Sequence, residues 1–310
     1  MLKRLSLTLI IVLSCLITYA QNVGSSPDYI KAITSRWKGE RFPDGRPKIS
    51  DTMLERLKNV PLEAAWAVLR NRGYENQFEG DWNILYPDKP MVGRVVTAQF
   101  MPLRPDLEEW VLEKGKQEKR NAPPSLSWPI DVLTPGDIYV ADAYGKTGHG
   151  GPLIGDNLGN SIYAKSKKGV IFYGAVRDPE GLRLIDGFNS WTKGIDPSFN
   201  MQMMLTSINA PIRIGRATVL PGDAVVAKGH GVLFVPAHLN EEVVITSEIT
   251  TLRDEFGWTR LKEGKYSPGQ IDSNWSDEIK KDFMNWLNNY PGKLPMSKSD
   301  LDNYFKERNY

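Results

Sequence analysis

Hydrophobic residues recur with helical spacing towards both ends of the chain. Ser26 and Pro27 suit the start of a helix. The segment that follows has one apolar face, made of Tyr29, Ile30, Ile33 and Trp37. Residues 51–74 continue the same spacing with a break at Pro61, and residues 240–256 are a further candidate helix. Near the end of the chain, a helix capped by Ser276 has a second apolar face, made of Ile279, Phe283, Trp286 and Leu287. The pattern therefore predicts helices on both sides of a different central region.

The central region has the pattern of strands. Residues 91–103 (MVGRVVTAQFMPL), 136–145 (GDIYVADAYG) and 169–176 (GVIFYGAV) are short apolar runs rich in β-branched residues. A helical segment, residues 158–169, joins the last two runs, and a strand–helix–strand order with short loops predicts parallel pairing. Residues 210–236 read as short strands around a Pro-Gly-Asp turn. Together these patterns predict an α/β core.

The first twenty residues differ from the rest. Lys3 and Arg4 precede the apolar run LSLTLIIVLSCLI, and small residues allow cleavage after Ala20. The run is shorter than the about 20 residues that a membrane span needs. We therefore expect residues 1–20 to be a signal peptide and the protein to be exported, periplasmic or secreted. An alternative is lipoprotein processing at Cys15, because VLSC loosely resembles the recognition sequence for that modification.

The charge balance and the cysteine content argue against several classes of function. The chain has 39 Lys and Arg against 37 Asp and Glu, and residues 1–20 contain two of the basic residues and no acid. The expected mature chain is thus nearly neutral, which gives no electrostatic support for binding nucleic acid or an anionic membrane. Cys15 is the single cysteine. After cleavage we expect no disulfide, no thiol nucleophile and no cysteine-based zinc site.

Three charged residues stand where ligands bind in open α/β sheets. Asp156 precedes the predicted helix, and Arg177 and Asp178 follow the next strand after twenty intervening residues. Both places lie at the carboxyl ends of parallel strands, so two carboxylates and a guanidinium could converge on one cleft. A purely structural interpretation stays open: both aspartates are plausible helix caps, and Arg177 could be a surface charge.

The three histidines are weaker candidates for site residues. His149, His230 and His238 show no spacing typical of a helical zinc site. His149 lies in the glycine-rich stretch GKTGHGG and could contact substrate, or bind only water or backbone. Neither a GxSxG nucleophile motif nor a phosphate-binding Walker motif is present in the sequence.

The segment 151–182, GPLIGDNLGNSIYAKSKKGVIFYGAVRDPEGL, resembles the RraA-like family, which includes the 4-hydroxy-4-methyl-2-oxoglutarate aldolases. The family's D-x20-R-D pattern is met by Asp156, Arg177 and Asp178. TPGDIYVADAYG and ATVLPGDAVVAKGHGVLFVP are similar to the family's flanking segments, and the similarity extends from about Val92 to Pro236. The resemblance implies an α/β fold of the swivelling ββα sandwich type, assembled as homotrimers or hexamers. It also implies Mg²⁺- or Mn²⁺-dependent retro-aldol cleavage of 4-hydroxy-2-oxo acids to pyruvate, with oxaloacetate decarboxylation as a side activity.

The resemblance also implies residue roles. Asp178 would bind the metal, Asp156 would hold a metal-bound water, and Arg177 would contact the keto and carboxylate oxygens of the substrate. A further group of residues is expected to bind substrate, mainly through backbone amides: Gly155, Asn157 and Leu158, with His149 beside them. A C-terminal acid of a neighbouring subunit would fall near Asp254 or Glu255, and Glu255 is taken as the third metal ligand.

The chain differs from the family pattern in several segments, and these differences affect the expected substrate more than the expected site residues. The family's acidic loop reads AKGHGV here, with Lys228 and His230, and both ends of the chain exceed the compact family core. We expect a signal peptide at 1–20, an N-terminal helical segment at 21–90, the catalytic core at 91–264 and a helical extension at 265–310. Two alternatives to the aldolase function stay open. One is an exported enzyme that uses the same metal site on a sugar-derived acid from polysaccharide breakdown, and the other is a non-catalytic binding protein.

Overall fold

A computed structural model describes residues 22–121, 124–144 and 151–307. Residues 1–20, the predicted signal peptide with Cys15, lie outside this range. The first half of the chain contains α1 (Pro27–Ile33), α2 (Asp51–Asn59), α3 (Leu62–Asn71), β1 (Phe78–Glu79), β2 (Asn83–Ile84), β3 (Met91–Pro102), α4 (Pro105–Gln117), α5 (Trp128–Asp131) and β4 (Asp137–Asp142).

The second half begins with α6 (Asp156–Ser166), β5 (Val170–Val176), α7 (Pro179–Arg183), β6 (Ser190–Ile195), β7 (Met203–Ile208), β8 (Ile212–Ile214), β9 (Ala217–Val219), β10 (Ala224–Lys228) and β11 (Gly231–Val235). It ends with α8 (Asn240–Lys262), α9 (Pro268–Ile271), α10 (Asp277–Asn288) and α11 (Lys298–Glu307). Of the helices in the described ranges, none has the length and apolarity required to cross a membrane.

Nine of the described strands form one sheet, in which β3 is the central strand. On one side β3, β4, β5 and β6 run parallel, which confirms the predicted parallel pairing of the strands around α6. On the other side β10 pairs antiparallel with the first half of β3, and β7 pairs with its second half. The carboxyl ends of β4 and β5 therefore lie at the same edge, as the candidate site requires.

Side chains of β4 show how the sheet separates two apolar layers. Tyr139 and Ala141 pack with the cluster under α4–α7, whereas Ile138 and Val140 pack with the cluster beneath the β8–β9 hairpin. This alternation is the period of two expected of a strand buried on both faces. The predicted α/β core is thus a sheet with helices on one face and a β-hairpin on the other.

The N-terminal and C-terminal helices add two further apolar clusters. In the first, α2, α3 and the start of α8 pack against β10 and β11. In the second, α9–α11 pack against the later part of α8 around Phe256 and Phe283. Ser26 and Ser276 accept the capping hydrogen bonds that the sequence predicts, from Tyr29 N–H and Ile279 N–H.

Four strands were absent from the sequence-based prediction. The segment 21–90, predicted to be helical, also contains β1 and β2, which pair with β11 and β6. β6 and β7 lie in the main sheet although their sequences, SWTKGI and MMLTSI, show no clear alternation. Lys193 in β6 is buried because its ammonium group donates to Glu79 and to the carbonyls of Gly80 and Asp81. Such distant partners cannot be read from a local pattern.

Candidate active site

The segment before α6 lies against the end of β5. Leu153 N–H donates to Ala175 O at 2.9 Å, and Arg177 N–H donates to Ile154 O at 2.9 Å. These two hydrogen bonds hold the start of α6 beside the residues that follow β5. Asp156 and the Arg177–Asp178 pair therefore meet at one edge of the sheet, in the arrangement that their spacing predicts.

Two glycines show how closely the carboxylates approach the backbone. A Cβ atom on Gly155 would collide with the Asp178 carboxylate and would lie 3.0 Å from Arg177 Nε. A Cβ atom on Gly181 would lie 2.6 Å from Asp156 Oδ2. Each carboxylate thus packs against the segment that carries the other, and glycine provides the space at both contacts.

Asp178 has a left-handed backbone, with φ 54° and ψ 48°. It occupies the position before α7, yet its side chain makes no capping hydrogen bond. Instead, its Oδ2 lies 3.2 Å from Arg177 Nε, and both side chains are a little over 40% exposed. A non-glycine residue in this conformation carries a conformational cost, and such residues are frequent at functional sites. The Asp178 side chain therefore does not cap α7, and the purely structural interpretation does not account for it.

Asp156 is the first residue of α6, and Gly155 occupies the cap position. Asp156 Oδ1 accepts a hydrogen bond of 2.7 Å from Asn157 N–H. The first bond within the helix backbone is from Gly159 N–H to Gly155 O. Amides of a first helical turn attract anions because they lack acceptors within the helix. Asn157 N–H already donates to Asp156, so Leu158 N–H is the more available of these two amides for a substrate.

A cleft of about 240 Å³ opens at this edge. Its lining comprises Pro124, Leu126, Pro152, Leu153, Ile154, Gly155, Asp156, Asn157, Leu158, Arg177, Phe199 and Asn200. This volume is below the roughly 300–1,000 Å³ of pockets for drug-sized ligands, and so it suits a small acid. Apolar walls with one guanidinium and one carboxylate favour a substrate that carries both an anionic end and a polar reacting centre.

Phe199 and Asn200 are lining residues that the sequence reasoning missed. They follow β6, and Arg177 Nη1 donates to the neighbouring Ser198 O at 3.4 Å. Phe199 is 61% exposed although it is a large apolar residue. The stretch IDPSFN carries no motif, so no local signal could have placed these residues in the cleft.

The structure does not bring every predicted site residue together within one chain. Glu255 lies on α8, where its Oε2 accepts a 2.6 Å hydrogen bond from Tyr290 Oη, and it is not among the cleft-lining residues described. This bond raises the pKa of Tyr290 to about 12. His149 lies outside the described residues. His230 is in the turn between β10 and β11, with Nε2 3.4 Å from Glu63 Oε1.

The donor set of the cleft fits a hard divalent cation only in part. Within the described ranges there is no group of three or more His, Cys, Asp or Glu side chains that could enclose a metal. Asp156 and Asp178 supply two carboxylates at one edge. Mg²⁺ commonly takes one or two protein carboxylates and completes its coordination with water and substrate oxygens. The residues present are therefore compatible with Mg²⁺ or Mn²⁺, provided that other ligands complete the site.

Comparison with known proteins gives a family match over most of the core. The family model described as RraA-like, Aldolase/RraA, matches residues 47–234, which is more than half of the chain. A Hahella chejuensis protein named "Putative 4-hydroxy-4-methyl-2-oxoglutarate aldolase" is 30% identical over 111 residues, or 36% of this chain and 66% of that protein. The chain spans 57–66% of the length of the curated relatives it matches.

Two solved structures share the fold. RraAS2 of Streptomyces coelicolor, described as an unusual member of the RNase ES inhibitor RraA protein family, is 24% identical with a TM-score of 0.55, covering 70% of this chain and 98% of that one. An uncharacterized protein of Pseudomonas syringae pv. tomato is 19% identical with a TM-score of 0.57, covering 73% and 100%. At these identities the matches concern the fold alone. They confirm the predicted α/β core with added helices at both ends.

Proposed function

The chain belongs to the RraA-like family, and we propose that it is a divalent-metal-dependent lyase that cleaves a 4-hydroxy-2-oxo acid to release pyruvate. The curated relatives carry the name of an aldolase, which supports lyase chemistry at the level of the family. The observation that carries the proposal is the meeting of Asp156, Arg177 and Asp178 at one edge of the sheet, where Asp156 and Arg177 line the cleft and Asp178 lies beside Arg177. Metal dependence and substrate are part of the proposal.

Substrate binding follows from the charges in the cleft. The Arg177 guanidinium would bind the 2-keto and carboxylate oxygens, since its planar donors match a carboxylate in a bidentate arrangement. Leu158 N–H at the start of α6 would add a donor for the same anionic end. The apolar walls would exclude water from the bond that breaks, which strengthens the attraction of Arg177 for developing negative charge.

Asp156 and Asp178 would hold Mg²⁺ or Mn²⁺. When bound, such an ion acts as a Lewis acid that stabilises negative charge on the substrate oxygens. Asp156 would accept, directly or through water, the proton of the C4 hydroxyl. The C3–C4 bond then breaks, the C4 oxygen becomes a carbonyl and the electron pair passes into the enolate of pyruvate. Arg177 would stabilise the enolate oxygen until C3 takes a proton. Removing one preorganised donor of this kind costs about 10²–10³ in rate.

The number of subunits and the export of the protein are also proposed. We infer a homotrimer or hexamer in which a second copy could bring Glu255 towards the metal, after release from Tyr290. Light scattering coupled to size-exclusion chromatography gives the number of subunits, and a monomer would contradict this arrangement. We also propose export after cleavage at Ala20, with mass spectrometry of the mature N-terminus as the test. A modified Cys15 at that terminus would instead favour the lipoprotein.

The test of the reaction measures pyruvate. Purified protein is incubated with 4-hydroxy-4-methyl-2-oxoglutarate or oxaloacetate, with Mg²⁺ or Mn²⁺ and then with excess chelator. Pyruvate release should require the metal and should be lost in Asp178→Asn, whereas Asp88→Asn, at an exposed carboxylate outside the cleft, should retain it. An undiminished rate after chelation would contradict the metal assignment. Binding of the metal without turnover of either acid would favour the sugar-acid or non-catalytic alternative.

A further inference from the structure

A second and larger cleft, of about 480 Å³, lies between the N-terminal helical region and the edge of the core. It shares no lining residue with the candidate active site. Its walls come from residues 33–37 at the end of α1, 73–77 after α3, 216–223 around β9, and 236–238 before α8. Segments that are far apart in the sequence thus converge on a space that the lyase proposal does not use.

The charge of this cleft is positive. Arg36 and Arg216 line it and are both exposed, and in the described part of the chain neither pairs with a carboxylate within ion-pair distance. The acidic lining residues are Glu75 and Asp223. Asp223 is buried and its oxygens accept from the backbone N–H groups of Leu220 and Ala237. The lining thus contains two exposed guanidinium groups and one exposed carboxylate, an excess of positive charge that favours an anionic ligand.

Aromatic rings form part of the wall beside Arg36. Arg36 Nη1 donates to Tyr74 Oη at 3.4 Å, and Tyr74 Oη lies 3.4 Å from His238 Nε2. Burial, together with Arg36, lowers the pKa of His238, so the neutral ring can accept from the Tyr74 hydroxyl. Trp37 Nε1 donates to Glu40 O at 2.8 Å, which fixes the indole ring. The cleft thus presents apolar ring surfaces next to a cation.

Buried contacts hold these walls in place before any ligand binds. Gln77 is 6% exposed, and its Nε2 donates to Thr218 O and Phe234 O, both at 3.2 Å. The loop after α3 is thereby tied to β9 and β11. A cleft with preformed walls loses little conformational entropy when it binds a ligand.

We propose that this cleft binds a small hydroxylated carboxylic acid, of the size and class of a uronic acid, with its carboxylate on Arg36 and Arg216. Guanidinium groups bind carboxylates in bidentate geometry. The rings of Trp37 and Tyr74 offer apolar surface to a sugar ring, and Asn76 and Thr218 can exchange hydrogen bonds with hydroxyl groups. The volume exceeds that of the candidate active site and admits one or two sugar rings. This binding does not depend on the reaction at Asp178.

Calorimetric titration with D-glucuronate and D-galacturonate tests the proposal on the mature protein. At least one of the two acids should bind saturably, and the neutral sugars D-glucose and D-galactose should bind at least tenfold more weakly. The double variant Arg36→Gln/Arg216→Gln should lose affinity for the acid at least tenfold, because hydrogen bonds to charged groups are lost. Arg104→Gln, at an exposed arginine outside this cleft, and Asp178→Asn should bind as the unmodified protein does.

Three results would overturn this assignment. The first is the absence of saturable binding of both acids. The second is equal binding of acids and neutral sugars, or unchanged affinity in the double variant, since either would remove the role of the arginines. The third is loss of binding in Asp178→Asn, which would place the ligand in the other cleft. Because Arg36 and Arg216 are exposed, the double variant should keep its melting temperature, so that a loss of affinity reports on the cleft and not on the fold.

Discussion

Replacing Asp178 by asparagine, alanine or glycine separates the conformational cost of this residue from its chemical role. At φ 54° the left-handed backbone costs an ordinary L-residue roughly 1–2 kcal/mol. Glycine avoids this cost but loses about 0.5–1 kcal/mol through the larger entropy of the unfolded chain. Asparagine tolerates the left-handed region and keeps the shape of the side chain.

The side chain of Asp178 itself contributes little to stability. Its ion pair with Arg177 is more than one-third exposed on both sides, and exposed pairs are worth about 0–1 kcal/mol. We therefore expect Asp178→Gly to be more stable than Asp178→Ala by about 0.5–1 kcal/mol, or roughly 1–3 °C in melting temperature. Asp178→Asn should melt close to the unmodified protein. All three variants should lose pyruvate release.

Differential scanning calorimetry of the four proteins, with a parallel rate assay, measures both effects. Asp88 is a matched control because it is exposed and its φ is not positive, so alanine should be at least as stabilising as glycine there. Equal stability of the alanine and glycine variants at position 178 would refute the conformational argument. Retained activity in any of the three would refute the role of the carboxylate.

Three further predictions concern other parts of the structure. Gly155→Ala should lower pyruvate release at least tenfold with little change in melting temperature, because the added Cβ displaces the Asp178 carboxylate. An unchanged rate would contradict the close packing of Asp178 against Gly155. Burial raises the pKa of Asp223 from 3.8 to about 7. Between pH 3.8 and about 7 the folded state therefore retains a proton that the unfolded chain has released. The free energy of unfolding should fall by up to roughly 4 kcal/mol as the pH rises through this range. Thermal unfolding of Asp223→Asn across this pH range should lack that decline, and an identical profile would show that Asp223 is ionised in the fold. Tyr290→Phe removes the hydrogen bond to Glu255 and should lower the free energy of unfolding of the metal-free protein by about 1 kcal/mol in a urea titration. No loss would show that water replaces this bond.

Local signals predicted most helices of the described residues, although α1 ends at Ile33 and leaves Trp37 outside the helix on which it was predicted. Ser26 and Ser276 are caps because a hydroxyl and an adjacent amide meet whenever the helix forms. The parallel pair around α6 followed from chain order and short loops. Strand β6 could not be predicted in this way, because the burial of Lys193 depends on partners more than one hundred residues away. Strand β7 was missed because its sequence, MMLTSI, shows no clear alternation.

The site was predictable only in outline. Spacing placed Asp156 and Asp178 at one edge of the sheet, but not the left-handed backbone of Asp178 or the position of Asp156 inside α6. These details depend on how the segment before α6 lies against β5. Phe199 enters the cleft through the loop after β6, for which the sequence has no signal.

Binding of Mn²⁺, followed by electron paramagnetic resonance, tests whether Asp156 and Asp178 hold a metal. We expect one saturable Mn²⁺ site per chain that is lost in Asp178→Asn, weakened at least tenfold in Asp156→Asn and kept in Asp88→Asn. Tight Mn²⁺ binding that persists in both Asp178→Asn and Asp156→Asn would contradict the assignment of the metal to this cleft.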